Sequence, residues 1–270
     1  MQLFIKFKMN KSIAIIGGGN LGKSIANGLL SQNFSPSKLT ITRNKIELLQ
    51  DFLTKNVTVT DNNIEAVTKS DIIIIAVKPY KIAEILQEIS SVITKDKLII
   101  SVVSDFSIEN IKANLSTLPQ IFRAMPNTAA AVNESVTCIA SENASEDDIN
   151  EVKSIFNVLG ETIVINEQLM DAATVLGACG IAYVLRFIRG MIQGGIEIGF
   201  DAKTATQIAT QTVKGASELL LQKGNHPEAE IDKVTTPKGC TIAGLNEMEH
   251  CGFSSALIKG IKTSYDNISE

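Results

Sequence analysis

Two stretches of this 270-residue chain carry residue types and spacings suited to chemistry. One is Val234-Thr235-Thr236-Pro237-Lys238-Gly239-Cys240-Thr241, a short polar turn between two helix-like segments. Pro237 stops the preceding helix and Gly239 lets the backbone turn closely. Thr241 then opens the pattern TIAGLNEMEH from an N-cap-like position. Free N–H groups at a helix start beside a glycine form a ready site for a carboxylate. The turn therefore reads as a holder for a small acid, the alternative being an ordinary helix–helix turn. The other stretch is Gly17-Gly18-Gly19-Asn20-Leu21-Gly22, with G-x-G-x-x-G at Gly17, Gly19 and Gly22. It follows the β-branched run SIAII at 12–16 and precedes a helical pattern through Leu29 and Leu30. Strand, glycine turn and helix form the context that a dinucleotide fingerprint requires. Gly17 allows the tight turn, Gly19 lets the backbone approach a pyrophosphate, and Gly22 lets helix pack on strand. The alternative is a glycine-rich turn needed only for packing.

The elements that must position these stretches alternate between strand and helix. Strands are predicted at 12–16, 39–42, 57–60, 71–77, 98–103, 121–124, 136–140 and 162–165, with helices between most of them. Four consecutive isoleucines at 72–75 demand burial on both faces, as in a parallel sheet. The pattern predicts an α/β fold with a Rossmann-type doubly wound sheet, and ligands sit at the carboxyl ends of such strands. That rim carries Ala76, Val77, Lys78 and Pro79 after the fourth strand. Asn127 lies after the sixth, as a cofactor or substrate contact or as the closure of a turn. An NAD-selective enzyme usually ends its second strand on Asp or Glu. Here the strand ends Thr42-Arg43-Asn44-Lys45. Arg43, with Asn44 beside it, can pair with a 2′-phosphate, which favours NADPH over NADH. Alternatively Arg43 and Lys45 are ordinary solvated charges.

The totals set limits. Hydrophobic residues make up 44% and charged residues 20%, enough for a sizeable core. A net charge of −4 offers no electrostatic footprint for nucleic acid. Four cysteines without a C-x-x-C pair and only two histidines point to free thiols and away from structural zinc. A cytoplasmic setting follows. Residues 1–10 alternate apolar and basic side chains and are expected to be a loose extension, leaving a first domain at 11–166. From 167 to 270 the chain turns helical and strongly apolar, but its charges recur too often for a bilayer span. Such a domain is expected to bury its surplus against a second copy of itself.

Four motifs carry a family resemblance. FRAMPNT at 122–128, AVKP at 76–79, GACGIAY at 177–183 and VTTPKGCT at 234–241 resemble the ordered signatures of pyrroline-5-carboxylate reductase. The resemblance runs over nearly the whole length from Ser12. It implies a Rossmann domain followed by an all-α dimerisation domain, and reduction of 1-pyrroline-5-carboxylate to proline with NADPH or NADH. By it, Gly17, Gly18, Gly19, Asn20, Leu21, Asn63, Ala76 to Pro79, and Val102, Val103 and Ser104 match cofactor positions. Cys240 and Thr241 match positions touching the imino acid, in a site built from two protomers, with Thr236, Lys238 and Gly239 in the same turn. Thr241 is assigned the hydrogen bond to the ring nitrogen; Tyr183 is the other polar candidate, or a core aromatic. Larger rings of dimers occur in the family, and no stretch here demands one. This chain departs from the family where SPGG is usual, reading Thr236-Pro237-Lys238-Gly239, and where GSGPAY is usual, with Ala178, Cys179 and Ile181. Asp105 stands where a glycine is usual, and Gly224 where some members carry a product-contacting glutamate. The alternatives are an NADP-linked imine or 3-hydroxyacid oxidoreductase on the same plan, or a non-catalytic NADP-binding protein. The 3-hydroxyacid enzymes usually use a lysine in the central helix, and the stretch 169–200 has none.

Overall fold

The computed structural model describes residues 9–268. The loose extension expected over residues 1–10 falls, through residue 8, outside the described residues. Met9 packs against the core, and the Lys38 ammonium donates to the Asn10 carbonyl.

Eight strands form one sheet: β1 (Ile13–Ile16), β2 (Leu39–Thr42), β3 (Thr58–Thr60), β4 (Ile72–Ile75), β5 (Leu98–Ser101), β6 (Gln120–Met125), β7 (Ser135–Ser141) and β8 (Gly160–Val164). Their order is β3-β2-β1-β4-β5-β6-β7-β8. The order reverses between β1 and β4, which places the ligand crevice of a doubly wound sheet at their carboxyl ends. Strands β1 to β6 are parallel; β7 runs antiparallel to β6, and β8 parallel to β7. That reversal is not apparent from the alternation of elements.

The helices of this unit are α1 (Asn20–Ser31), α2 (Gln50–Leu53), α3 (Asn63–Thr68), α4 (Ile82–Ile89), α5 (Ile108–Ala113), α6 (Glu146–Phe156) and α7 (Met170–Ala173). They cover both faces of the sheet. Ile13, Ile15, Ile25, Leu29 and Phe156 form one core, while Ala14, Ile16, Ile73, Leu86 and Ile111 form the other. The period-2 alternation of β1 and β4 feeds both layers. Each fully buried isoleucine of β4 contributes roughly 1.5–3 kcal/mol. Caps set the helix starts: Ser107 accepts from the Asn110 amide, and Ser145 with Asp148 closes a capping box. Asp71 ties β4 to β1 by accepting from the Ser12 amide and hydroxyl, at 2.7 and 2.8 Å. Those bonds, the backbone one foremost, hold its carboxyl below the usual range.

After β8 the chain forms a 3-10 turn (Glu167–Leu169), then α7, then a π-helical turn (Thr174–Cys179). Met170 is fully buried against Met125 and Ala140. The first compact unit consequently ends at Cys179, thirteen residues past the division expected at 166/167. The apolar stretch after β8 thus passes through 3-10, α and π turns before the longer helix that follows.

The second unit holds α8 (Gly180–Glu197), α9 (Ala202–Lys223), α10 (Pro227–Val234), α11 (Cys240–His250) and α12 (Phe253–Asp266). Asp201 caps α9 by accepting from Lys203 and Thr204, and Gly224 ends it in the left-handed region. The buried core is small: Ile192, Ala205 and Ala209. Large apolar side chains such as Val184, Leu185, Phe187 and Ile258 remain exposed. An apolar cavity of about 810 Å³ opens between Tyr183, Phe187, Met191, Met248, Phe253 and Leu257. Among the described residues one helical run, Glu167–Glu197, is long and apolar enough to cross a membrane by length and composition alone. Asp171, Arg186 and Arg189 interrupt it. The four cysteines are free thiols, and burial pushes that of Cys138 up.

Candidate functional site

The glycine loop does what its spacing requires. Gly17 has φ of 109°, and a Cβ there would lie 2.4 Å from the Ala76 carbonyl oxygen. A Cβ on Gly22 would lie 2.2 Å from the Gly17 carbonyl oxygen. These two glycines let loop, helix and β4 close on one another. A Cβ on Gly18 would press on Leu49. Gly19 is different, because a Cβ there would meet no protein atom within 4 Å. It stands at the N-cap of α1, so the first N–H groups, from Asn20 and Leu21 onward, have no side-chain cap. An uncapped helix start beside an open glycine fits a pyrophosphate.

The ends of β1, β2, β4 and β5 converge on this loop. The Gly18 amide donates to the Thr42 carbonyl at 2.7 Å, and Arg43 Nη1 donates to the Gly18 carbonyl at 2.7 Å. Arg43 therefore stands against the loop rather than in solvent, with Asn44 exposed beside it. Ala76 and Val77 lie against Gly17, and the Val102 amide continues the ladder to Ile75. Val102 and Val103 are buried, Ser104 partly so, and Lys78 and Pro79 are exposed. Asn63, just past β3, gives its amide to Glu88 at 2.9 Å, so its donor is engaged within the protein.

Asn127 is buried, and both its side-chain oxygen and its nitrogen are engaged. It accepts from the Ala129 amide and donates to the Gly177 carbonyl, at 3.0 and 3.1 Å. The turn-closing alternative describes these bonds, and the residue also holds the π turn. Sequence reasoning missed Arg123, which is only 5% exposed on β6. Its Nη1 lies 3.4 Å from Glu167 Oε1, while Nε and Nη2 have no partner among the described residues. A charge in the middle of a strand buried on both faces was the available signal. Arg123, Met125 and Asn127 alternate onto one face and meet Glu167, Met170 and Gly177 in that order. The segment after β8 thus doubles back along β6 to the rim.

In the second unit, the turn 236–239 is closed by the Gly239 amide donating to the Thr236 carbonyl at 2.9 Å. The helix begins at Cys240 with Gly239 as its cap, so Thr241 is not the N-cap that its residue type suggested. The Gly239 N–H is engaged, and the free donors are those of the first turn of α11, from Cys240 and Thr241 onward. No side-chain cap competes for them, and the Thr241 hydroxyl has no hydrogen-bond partner among the described residues. Tyr183, by contrast, donates to Ser264 Oγ at 2.7 Å and lines the apolar cavity. Among the described residues, no group of three His, Cys, Asp or Glu is arranged to hold a metal.

Lys238 sits at φ of 60°, in the left-handed region. A non-glycine residue there costs roughly 1–2 kcal/mol, and glycine returns about 0.4–1 of that through its freer unfolded state. Lys238→Gly should therefore raise the thermal midpoint slightly. A lowered midpoint would refute the strain argument.

Comparison with known proteins bears on both units. Residues 167–270 match the family described as pyrroline-5-carboxylate reductase dimerisation. Residues 12–105 match that described as NADP oxidoreductase, coenzyme F420-dependent. The chain is 46% identical to pyrroline-5-carboxylate reductase 1 of Dictyostelium discoideum, covering 95% of this chain but 49% of that protein. It spans about half the length of that relative. Pyrroline-5-carboxylate reductase 2 of the same organism is 43% identical, with 97% of this chain and 94% of that protein covered. The solved structure of Plasmodium falciparum pyrroline carboxylate reductase with NADP bound superposes with a TM-score of 0.86 at 26% identity. That match covers 96% of this chain and 97% of the other.

Proposed function

The chain belongs to the pyrroline-5-carboxylate reductase family, and from that premise we propose that it reduces 1-pyrroline-5-carboxylate to L-proline, the last step of proline synthesis, with NADPH as the donor. The observation that carries the reading is the uncapped start of α11 with the unpartnered Thr241 hydroxyl, in a chain matched to this family from end to end.

The residues present fit the cofactor. Gly19 is open where a pyrophosphate must approach, and the Asn20 and Leu21 amides follow at the α1 start. Arg43, held against the glycine loop by its bond to the Gly18 carbonyl, would take the 2′-phosphate, with Ala76 to Pro79 and Val102 to Ser104 as the remaining rim. When bound, NADPH supplies the hydride that reduces the ring C=N bond. The chain supplies orientation. First-turn amides of α11 receive the substrate carboxylate, with Lys238 adding a cation beside it. The Thr241 hydroxyl is the hydrogen-bond partner of the ring nitrogen. Holding the ring in one pose can account for roughly 7–11 kcal/mol of barrier. No strong acid is needed, because the imine nitrogen is already basic enough to carry a proton.

Copies of the chain pair through the helical unit in this reading. The exposed apolar residues of α8 and α12 and the cavity between them are surfaces that a second copy would cover. Four free thiols suit a reducing, cytoplasmic setting.

Loss of NADPH absorbance on addition of 1-pyrroline-5-carboxylate tests the activity directly. Its six-membered homologue with NADPH, and 3-hydroxyacids with NADP+ where oxidation would raise the same absorbance, separate this reductase from its relatives. No absorbance change with the five-membered imine would refute the proposal. For cofactor choice, Arg43→Ala should lower apparent NADPH affinity about tenfold to a hundredfold and leave NADH nearly untouched, as expected for a lost bond to a charged group. An unchanged ratio of the two KM values would reassign Arg43 to holding the Gly18 carbonyl.

A further inference from the structure

We propose that Glu167, steered by Arg123, is a positioning residue for the cofactor loop 102–107. The inference rests on the cofactor reading above, which places Val102, Val103 and Ser104 at the rim.

The loop is fastened at both ends. Its start continues the β5 ladder, the Val102 amide donating to the Ile75 carbonyl at 3.0 Å. Its far end is Ile108, the first residue of α5, whose amide donates to Glu167 Oε1 at 2.7 Å. Ser107 meets a different donor, the Asn110 amide. Glu167 comes from 59 residues away, so this bond belongs to no local capping motif. Between the two anchors Asp105 holds a left-handed φ of 56°, a conformation that a loop with a free end would relax.

Glu167 has a fixed base. Two residues of its own segment are pinned to β6 and the turn after it: Met170 is buried against Met125, and Gly177 accepts from Asn127. Arg123 provides the charge. It is buried on the same face of β6, and Glu167 is its ion-pair partner. At 3.4 Å that contact is longer than the Ile108 bond, so the carboxylate is placed to serve the helix start. Ile108 and Ile111 are themselves fully buried, so α5 stays docked without Glu167. What is lost is the restraint on its first amide and on the loop before it.

Three variants of the full chain test this, with NADPH dissociation constants, both KM values and thermal midpoints as readouts. Glu167→Ala should raise the NADPH dissociation constant about tenfold, while the KM for the imino acid stays within about twofold. Glu167→Gln keeps an oxygen for the Ile108 amide and should recover most of the affinity. Glu167→Ala also strands a buried guanidinium, which lowers stability by itself. The double variant Arg123→Met/Glu167→Ala removes that charge and should regain stability without regaining NADPH affinity. If Glu167→Ala binds NADPH like the parent, or if the double variant returns to parental affinity, the inference is overturned. If the unmutated chain fails to bind NADPH, the cofactor reading falls first and takes this one with it.

Discussion

Thr241→Val should cut turnover roughly a hundredfold or more, the loss seen when one positioned donor is removed from a reacting centre. NADPH affinity should stay within about twofold of the parent. The substitution is close to isosteric, and both residues have similar helix propensity. Thr241 is the second residue of α11, past the N-cap position held by Gly239, so its hydroxyl does not cap the helix. It also bonds to nothing else among the described residues. The change therefore falls on the bound imine alone. Steady-state kinetics with both substrates varied, beside fluorescence titration of NADPH, give the answer. Full turnover in the valine variant would remove Thr241 from the mechanism.

The second large effect separates two glycines three positions apart. Gly22→Ala places a Cβ 2.2 Å from the Gly17 carbonyl oxygen, a backbone atom that cannot step aside. Helix α1 must shift off β1, and both stability and NADPH binding should fall, the former by about 1–3 kcal/mol as for an overpacked core. Gly19→Ala meets no protein atom within 4 Å. Its thermal midpoint should match the parent or rise slightly, yet NADPH affinity should drop at least about tenfold, because the added methyl occupies the approach of the pyrophosphate. Parallel melting curves and cofactor titrations distinguish them. A Gly19→Ala variant that binds NADPH normally would show that the pyrophosphate does not lie there.

Much of this architecture is legible in the residues themselves. Four isoleucines in a row can be satisfied only by burial on both faces, and β4 is buried at every position. The fingerprint glycines are legible because each answers a separate steric demand, and the contacts at Gly17, Gly19 and Gly22 differ accordingly. What was not legible depends on partners distant in sequence. The direction of β7 is set by its pairing with β6, which no local pattern encodes. Thr241 looked like a cap because threonine often is one, but the Thr236–Gly239 hydrogen bond moves the helix start back to Cys240. The link from Arg123 through Glu167 to Ile108 joins three separate segments. Only the oddity of an arginine inside FRAM hinted that a counter-charge must exist. Asp105 and Lys238, which stand where the resemblance leads one to expect glycines, both fall at left-handed positions that glycine adopts without strain.

Among the described residues, the interior of the helical unit amounts to little more than Ile192, Ala205 and Ala209. If copies pair through α8 and α12 as proposed, the exposed apolar side chains there are covered only when two chains meet, and assembly is bimolecular and slows with dilution. Dilution would then lengthen the time that each chain spends with those side chains in water.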